Sequence, residues 1–516
     1  MCKELKIAET IDELLPVTQK EVSHGKAVCA MVLNGLGFVN QRLYMVPDFF
    51  KNKPVERLLG EGIKADQLND DSLGRSLDAL YEADPTEIYS LLAARSCQIL
   101  GLNPKCGHLD STSFHVDGRY NSDSPEQEGV IKLTRGYSRD HRGDLNQCIL
   151  NLIVESKGSI PIHMSSASGN SDDKSGFRSL LEKHINQLQN VHGFRYLVSD
   201  SAFYTEKTLK SLAKDLLFIS AVPQTLATAE YVLENIDVKS MSEIDDNYRC
   251  QELGVLYADV KQRWIIVYSQ QAYDRDVQSL NRRCLKEGEK ECRAFSALCR
   301  RSFSCYEDAQ KAWEKFKKTL KYSQVSNFQI QEKVHYARRG KPKKGEKPDR
   351  IDYFLSGFMS SSLEKRAGLL GKQGIFILAT NELDEHRLSA SEVLKEYKGQ
   401  SHAEKGFRFL KHPEFLASAF FLQKPQRIMA LLMIMTVCLM VYAALEYRIR
   451  QGLRQKGETV LNQLKKPTDR PTARWIFHCF EGIHILFQNQ ACVGILNIEQ
   501  RHWQIINLLG YQRYYT

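Results

Sequence analysis

The sequence predicts a mixed α/β protein, and two observations support this prediction. The first is a change of pattern near residue 106, after which three candidate strands, a helix, a strand, a helix and a strand follow one another up to residue 225. The second is the composition, because 42% hydrophobic and 26% charged residues lie in the globular range. A chain of 516 residues has room for roughly two to four domains.

Hydrophobic periodicity identifies the elements of the segment 106–225. The run ILNLIV at 149–154 is continuously apolar, which is typical of a strand buried on both faces. Between Phe177 and Leu188 the apolar residues instead recur with the period of a helix. Asp110 and Asp200 fall within or just after two of the other predicted strands, which cover 108–116, 160–164, 195–199 and 216–222.

The flanking segments have different patterns. Residues 1–105 predict short helices, one of them capped by Asp84 with Pro85 at its first position. Such a helical domain could bind DNA ends or serve as a packing or dimer domain, and the sequence leaves both open. Residues 226–385 predict an insertion with strands at 255–260, 264–268 and 374–380 and a charged helix over 306–321.

One segment of the insertion is strongly basic. Lys333 to Arg350 reads KVHYARRGKPKKGEKPDR, with Gly and Pro interrupting the charges. A solvated linker and a phosphate-contacting loop both fit this composition.

After the insertion, residues 386–450 complete the α/β layer and residues 451–516 predict further helix and turn. Ser389 and Glu392 form a capping box, and the helix that they begin can run to Lys411 because Pro413 disfavours helical geometry before it. The uncharged run 428–445 is at the lower limit of length for a membrane span. Since no other segment resembles a span, we interpret it as a buried core helix.

Charge and cysteine content suggest a partner and a compartment. The net charge of +9 suits a polyanionic partner, although many soluble proteins carry such an excess. The 13 cysteines include no CxxC pair, and the loose group Cys284, Cys292, Cys299 and Cys305 is too widely spaced for a zinc site. We therefore expect reduced thiols, a cytoplasmic protein without a signal peptide, and no membrane partner.

Three acids are candidates for metal-dependent chemistry. Asp110 lies on the first predicted strand, Asp200 ends the strand RYLVSD, and Glu404 lies on the long helix. A carboxylate at a strand end faces a crevice rather than the core. Phosphodiester cleavage by two Mg²⁺ ions needs hard oxygen ligands of this kind. Taken singly, each acid has an ordinary explanation as a turn cap or a solvated ion pair.

The helix also aligns other polar groups with Glu404. At about 100° per residue, the rotation around the helix axis relative to Tyr397 is about −60° for Gln400, about −20° for Glu404, about +20° for Arg408 and about −40° for Lys411. His402 and Lys405 point away from this face. Arg408 and Lys411 are therefore candidates to hold DNA phosphates beside the acid.

These motifs resemble those of a known family, the DDE transposases of prokaryotic insertion sequences. The similarity is greatest to the IS-four-like group and its IS-sixteen-thirty-four branch, and it covers nearly the whole chain. The strings that carry it are VLNGLGFVNQRLYMVPDFF, LDSTSFHVDG, GYSRDHRGDLNQ, NLIVESKGSIPIHMSSASGNSDDKSGF, SDSAFYT, YKGQSHAEKGFRFLKHP and PTARWIFHCFEGIHIL.

The resemblance implies an RNase H-like catalytic domain over 106–225 and 386–450, interrupted by a β-rich insertion and flanked by helical domains. Asp110, Asp200 and Glu404 would be the catalytic, metal-binding acids, with two Mg²⁺ ions or Mn²⁺ as a substitute. The group's helix signature has Tyr, Arg, Glu and Lys, and Tyr397, Glu404 and Lys411 match it, whereas Gln400 replaces the Arg. Arg408 lies on the same face and could supply the missing cation.

The resemblance further implies a protein that binds the terminal inverted repeats of an insertion sequence and cleaves and transfers DNA strands as a homodimer or larger synaptic complex. Its partners would be double-stranded transposon ends and target DNA. Two alternatives remain: an RNase H-fold nuclease without strand transfer, and a DNA-binding protein derived from a transposase that has lost catalysis. A P-loop enzyme is disfavoured because neither GKPKKGEK nor GLLGKQG fits GxxxxGK[ST].

Overall fold

The computed structural model describes residues 1–16, 22–38, 43–116, 120, 129–138, 140, 142–337, 347–412, 415, 422–488 and 491–515. The helices are α1 (Ile7–Leu14), α2 (His24–Leu36), α3 (Val46–Phe50), α4 (Val55–Leu59), α5 (Asp70–Glu82), α6 (Pro85–Leu100), α7 (Asp173–His192), α8 (Glu206–Leu212), α9 (Ala227–Asn235), α10 (Gln270–Arg300), α11 (Tyr306–Lys317), α12 (Leu363–Leu370), α13 (Ala390–Lys398), α14 (Ser401–Leu410), α15 (Pro425–Lys456), α16 (Ala473–Cys479) and α17 (Gln500–Leu509).

The strands are β1 (Cys106–Val116), β2 (Asn146–Glu155), β3 (Pro161–Ser168), β4 (Tyr196–Ser199), β5 (Leu217–Ala221), β6 (Ser242–Asp245), β7 (Tyr248–Tyr257), β8 (Val260–Ser269), β9 (Ser323–His335), β10 (Arg350–Ser361), β11 (Ile375–Thr380), β12 (Val460–Leu461), β13 (Pro467–Thr468), β14 (His484–Gln488) and β15 (Ala491–Leu496). Parts of the quoted motifs lie outside the described residues, namely 39–42, 117–118, 139, 141 and 413, as do residues 338–346 of the basic segment.

The chain divides into two compact units. The first comprises Met1–Ala221, Gly254–Arg263 and Ala379–Thr516, and the second comprises Val222–Leu253 and Trp264–Leu378. The second unit overlaps the predicted insertion 226–385, except that residues 254–263 and 379–385 belong to the first unit. The helices of the predicted N-terminal domain 1–105 also belong to the first unit.

A sheet in the order β3-β2-β1-β4-β5 lies in the first unit. The pairs β3–β2 and β2–β1 are antiparallel, whereas the pairs β1–β4 and β4–β5 are parallel. The strand β2 is buried over nine of its ten residues, as its continuous apolar run predicted. The mixed α/β class predicted for this segment is therefore confirmed.

The core of the first unit is built around α15, which contacts α2, α5, α6, α14 and α17. Leu432, Met433 and Thr436 are fully buried, and the bidentate ion pair of Arg427 with Asp78 fixes α15 to α5 at 2.7 Å. Within the described residues, α15 is long and apolar enough to be a candidate membrane span, but 83% of its apolar window is buried. Its packing is that of the core helix predicted from the sequence.

The second unit contains β6, the larger parts of β7, β8 and β11, the hairpin β9-β10, and the 31-residue helix α10, and these sheet strands follow the order β11-β8-β7-β6. Trp313 stacks on Phe328 with ring centroids 4.1 Å apart, in a small core that includes Phe295 and Leu355. The expectation of a β-rich insertion therefore needs correction, because long helices contribute to this core alongside the strands.

The C-terminal segment 451–516 also differs from its prediction of helix and turn. The hairpins β12-β13 and β14-β15 alternate with α16 and α17. Ile449, Leu453, Ile476 and Ile505 form a core that joins this segment to the end of α15.

Candidate active site

Asp110 and Asp200 are brought together by the pairing of β1 with β4. These strands run parallel, and the last residues paired between them are Leu109 and Ser199. Asp110 and Asp200 are the next residues on each strand, so their backbones lie side by side at about the 4.8 Å spacing of neighbouring strands. The sheet register therefore explains why two acids 90 positions apart in sequence reach one crevice.

Local hydrogen bonds orient both aspartates. Asp110 Oδ1 accepts the backbone N–H of Ser111 at 2.7 Å, and Asp200 Oδ1 accepts that of Ala202 at 2.9 Å. The carbonyl of Asp200 accepts the Ser220 hydroxyl from β5 at 2.9 Å. Both side chains remain partly exposed.

Glu404 lies in the first turn of α14, on the exposed side of that helix. Ser389 caps α13 and forms the predicted capping box with Glu392. The prediction of one continuous helix from Ser389 to Lys411 is wrong, because the chain divides into α13 and α14 at Gly399 and Gln400. The amides of Gln400 and His402 there bond three residues back, to Tyr397 and Gly399, so the helix tightens locally.

One cavity of about 490 Å³ in the first unit is lined by all seven residues predicted for the site. Its walls are formed by three acids, an aromatic hydroxyl, an amide and two cations, together with three residues that the sequence did not indicate. In full, these are Asp110, Asp200, Glu404, Tyr397, Gln400, Arg408 and Lys411, with Thr112, Asp140 and Phe407 in addition. The face derived from the helical wheel thus faces one cavity despite the break at Gly399, and His402 and Lys405 do not line it.

Tyr397 lies in the negative field of this cavity. Burial, followed by the carboxylates of Asp200 and Glu404, raises the pKa of the Tyr397 hydroxyl above its ordinary value of 10.0. The phenol therefore keeps its proton at physiological pH and can act as a neutral hydrogen-bond donor.

Lys411, predicted to hold a phosphate, forms an ion pair with Asp140 at 2.6 Å. The Nε2 of His115 lies 3.4 Å from the same carboxylate. Asp140 thus occupies an anion position between two basic side chains. It lies inside the motif GYSRDHRGDLNQ, which could have drawn attention to it, but nothing in the spacing of that motif distinguishes Asp140 from Asp144.

The donor set fits Mg²⁺ through its chemistry. Within the described residues, no group of three or more His, Cys, Asp or Glu side chains could by itself hold a metal ion. A two-ion site does not require such a group, because each Mg²⁺ takes one or two carboxylates and completes its octahedron with water and phosphate oxygens. Asp110, Asp200 and Glu404 offer hard oxygens of the kind that such ions prefer.

A buried histidine packs behind the break between α13 and α14. His108 is fully buried on β1, and a Cβ added to Gly399 would lie 2.9 Å from its Cε1 and 2.9 Å from the Glu396 carbonyl. Burial, followed by the charge of His402, lowers the pKa of His108 to about 3, so the ring is neutral at physiological pH. Gly399 therefore permits a close approach between the strand of Asp110 and the helices that carry Tyr397 and Glu404.

We expect Gly399→Ala to destabilise the protein by about 1–3 kcal/mol, because the added Cβ would lie 2.9 Å from both the His108 ring and the Glu396 carbonyl, so one of these groups has to shift. The measurement is urea denaturation followed by circular dichroism. The matched control is Gly368→Ala in α12, where an added Cβ meets nothing within 4 Å. That change should be neutral or stabilising by up to about 1 kcal/mol. Equal free energies of unfolding for the two variants would contradict the close-packing argument.

Comparison with known proteins gives two similarities. Residues 1–94 match a family model described as a domain of unknown function (DUF4277). Among solved structures, the chain is similar to the piggyBac transposase in a cryo-EM structure of its synaptic complex with hairpin DNA, with 12% identity, 89% of this chain and 76% of that chain covered, and a TM-score of 0.38. No curated protein matches the chain. At this level of likeness, arguments about function depend on the residues of the cavity.

Proposed function

We propose that this protein is a DNA transposase that cleaves DNA strands and transfers them with the help of divalent metal ions. The observation that carries the proposal is the convergence of three acids from separate segments on one cavity. Asp110 and Asp200 come from adjacent parallel strands or directly after them. Glu404 comes from a helix about 200 positions further along the chain than Asp200. Hard oxygen donors beside two cations suit a phosphodiester substrate.

The strand order supports an RNase H-like catalytic domain as part of this proposal. In β3-β2-β1-β4-β5, three antiparallel strands are followed by two in parallel, and two of the acids lie on the central strands β1 and β4 or directly after them. This arrangement agrees with the fold that the motif resemblance implies.

The residues of the cavity would divide the work as follows. Asp110, Asp200 and Glu404 would hold the metal ions, which when bound activate the attacking hydroxyl and stabilise the leaving oxygen. Arg408 and Lys411 would bind phosphate oxygens, with Lys411 exchanging Asp140 for DNA. Tyr397 and Gln400 would donate hydrogen bonds that orient the strand, and Phe407 would restrict water on one side of the cavity.

We propose that Arg408 supplies the cation that the family's helix signature places at the position of Gln400. Arg408→Ala should then lower the rate of strand cleavage about 10-fold to 150-fold, which corresponds to losing one charged hydrogen bond of about 1.5–3 kcal/mol. Lys405→Ala is the matched control, because Lys405 is an exposed cation on the same helix that does not line the cavity. If both variants cleave at the wild-type rate, Arg408 has no such role.

The deciding experiment uses the full chain and a linear DNA that contains the open reading frame with its natural flanking sequence. With Mg²⁺ we expect cuts at terminal inverted repeats and joining of the released ends to a second duplex, and with EDTA neither. Cuts without joined product would favour the nuclease alternative. Binding to the ends without cuts under any metal would favour the DNA-binding alternative.

Three further properties belong to this proposal. Transposition requires two ends to be held together, so we propose a homodimer or larger complex on DNA. Mn²⁺ should replace Mg²⁺, since it shares the preference for oxygen ligands. The protein would work in the cytoplasm, where cellular DNA is accessible to it in a prokaryote.

A further inference from the structure

The second unit carries a line of positive charge along α10. Arg275, Arg282, Lys286, Arg293 and Arg300 are all exposed and are spaced by seven, four, seven and seven residues. At about 100° per residue they lie within about 20° of one line along the helix. We call these five residues the α10 stripe.

The opposite side of α10 packs into the second unit. Leu280 and Phe295 are buried, and the Glu291 carboxylate accepts the backbone N–H of Lys321 at 2.6 Å. These three residues lie about 140° to 200° around the helix from the stripe. The helix is thus anchored by one face and presents the α10 stripe to solvent with the other.

The acids of α10 are placed away from the stripe or are engaged elsewhere. Asp276 accepts the backbone N–H of Gly374 at 3.1 Å, and Glu287 pairs with Lys290 at 2.7 Å. On the stripe side, Glu289 lies 3.7 Å from Arg293, whose side chain is 82% exposed. Within the described part of the chain, Arg282, Lys286 and Arg300 have no acidic partner within 4.0 Å. Apart from Glu289, the acids of α10 lie about 100° or more around the helix from the stripe, so this surface carries mostly positive charge.

From this geometry we infer that the α10 stripe is a docking surface for the phosphate backbone of double-stranded DNA. From Arg275 to Arg300 the helix rises about 38 Å at 1.5 Å per residue, which matches roughly eleven base pairs at 3.4 Å each. Guanidinium groups, which make up four of the five cations, hold phosphates through paired hydrogen bonds. The stripe lacks the exposed aromatic side chains on which unpaired bases stack, so a duplex suits it better than a single strand.

This surface lies in a different unit from the catalytic cavity and carries no acid triad. It would bind DNA without regard to sequence, and it would do so whether or not the cavity cuts. The inference draws on the proposed function only in taking the polyanion to be DNA.

The test is the salt dependence of DNA binding by the full chain in EDTA, measured by fluorescence anisotropy on a 20-base-pair duplex of arbitrary sequence. The variant carries Arg282→Gln, Lys286→Gln and Arg300→Gln. Each lost phosphate contact should lower the slope of log affinity against log salt by about 0.9. For three lost contacts, the ratio of wild-type to variant affinity should therefore fall about 40-fold as KCl rises from 50 to 200 mM.

The matched control removes three exposed cations from α11 and the residue that follows it, in the same unit, through Lys311→Gln, Lys315→Gln and Lys318→Gln. Because the charge change is identical, a general electrostatic effect would alter both proteins equally. Equal slopes for the two variants, or a slope like that of the wild type for the stripe variant, would overturn the inference. So would a loss confined to single-stranded DNA of the same length.

The outcome of this binding test is independent of the outcome of the cleavage assay. A reduced slope in a chain that cuts no DNA supports the stripe and contradicts the proposed activity. An unchanged slope in a chain that cuts and joins DNA contradicts the stripe and supports the proposed activity. Thermal unfolding of the stripe variant should match that of the wild type, because the three side chains are exposed and pack against nothing.

Discussion

Glu404→Gln is expected to lower the rate of Mg²⁺-dependent DNA strand cleavage on the order of 10³-fold, which corresponds to about 4 kcal/mol of lost transition-state stabilisation. The amide keeps the size of the side chain but cannot bind a hard divalent cation as a carboxylate does. Since Glu404 is exposed in the first turn of α14, the fold should be unaffected. The measurement is single-turnover cleavage of a labelled DNA end.

The same variant should keep or slightly raise the affinity for DNA in EDTA, because a negative charge has been removed beside the phosphates. This pairing of lost cleavage with retained binding separates a catalytic role from a structural one. Glu385→Gln is the matched control, because it neutralises an exposed glutamate of the first unit that does not line the cavity. Cleavage by Glu404→Gln at the rate of this control would remove Glu404 from the mechanism.

Asp110→Asn and Asp200→Asn should each have an effect of the same order, and combining them with Glu404→Gln should add little. Groups that hold one pair of ions act as a unit, so the loss of any one removes most of the function. Losses that multiplied across the three acids would indicate three separate roles instead.

The position of each acid on its strand or helix could be predicted from the sequence because it depends on local rules. A carboxylate at the end of a strand and a polar face with helical spacing are both visible in the residues themselves. The pairing of Leu109 with Ser199, which sets the two aspartates side by side, is a long-range fact that no local pattern contains. The family motifs supplied that information in its place.

The break at Gly399 could not be predicted in this way. Gly399 and Gln400 both keep dihedral angles in the right-handed helical region, so no turn signal separates α13 from α14. The structure adds a tertiary contact at this point, because the ring of His108 occupies the space that a side chain at position 399 would need. A single glycine inside a helical pattern is common and does not indicate such a contact by itself.

Other elements escaped prediction because they bury little. The helix α10 has only Leu280 and Phe295 buried among its described residues, so few of its residues indicate a core-facing side. The strand β9 is largely exposed, and β10 has only Asp352 and Leu355 buried, so few of their positions indicate a buried face. Sequence patterns reveal burial more than they reveal hydrogen bonding, and the second unit has the smaller core.

Leu432→Asp is expected to destabilise the first unit by about 4 kcal/mol or more, which is a large part of the 5–15 kcal/mol that typically holds a domain together. Leu432 is fully buried in α15, where α2, α5 and α6 surround that helix. A carboxylate placed there loses its hydration and gains no partner, a cost of several kcal/mol. The measurement is the urea midpoint followed by far-UV circular dichroism.

Two further variants make this prediction decisive for the role of α15. Gln455→Asp places the same carboxylate at an exposed position near the end of the same helix, where the unfavourable dipole should cost at most about 1 kcal/mol. If Leu432→Asp does not fold, Leu432→Ala should still fold and lose about 2–5 kcal/mol, because it leaves a cavity among packed side chains. A helix that faced lipid would lose little stability on Leu432→Ala. The cost of an aspartate at either position would then depend on the depth of that position in the bilayer. Wild-type stability in Leu432→Ala would therefore contradict the core packing on which the placement of α14 and Glu404 depends, since Leu439 of α15 fills the space above Gly406.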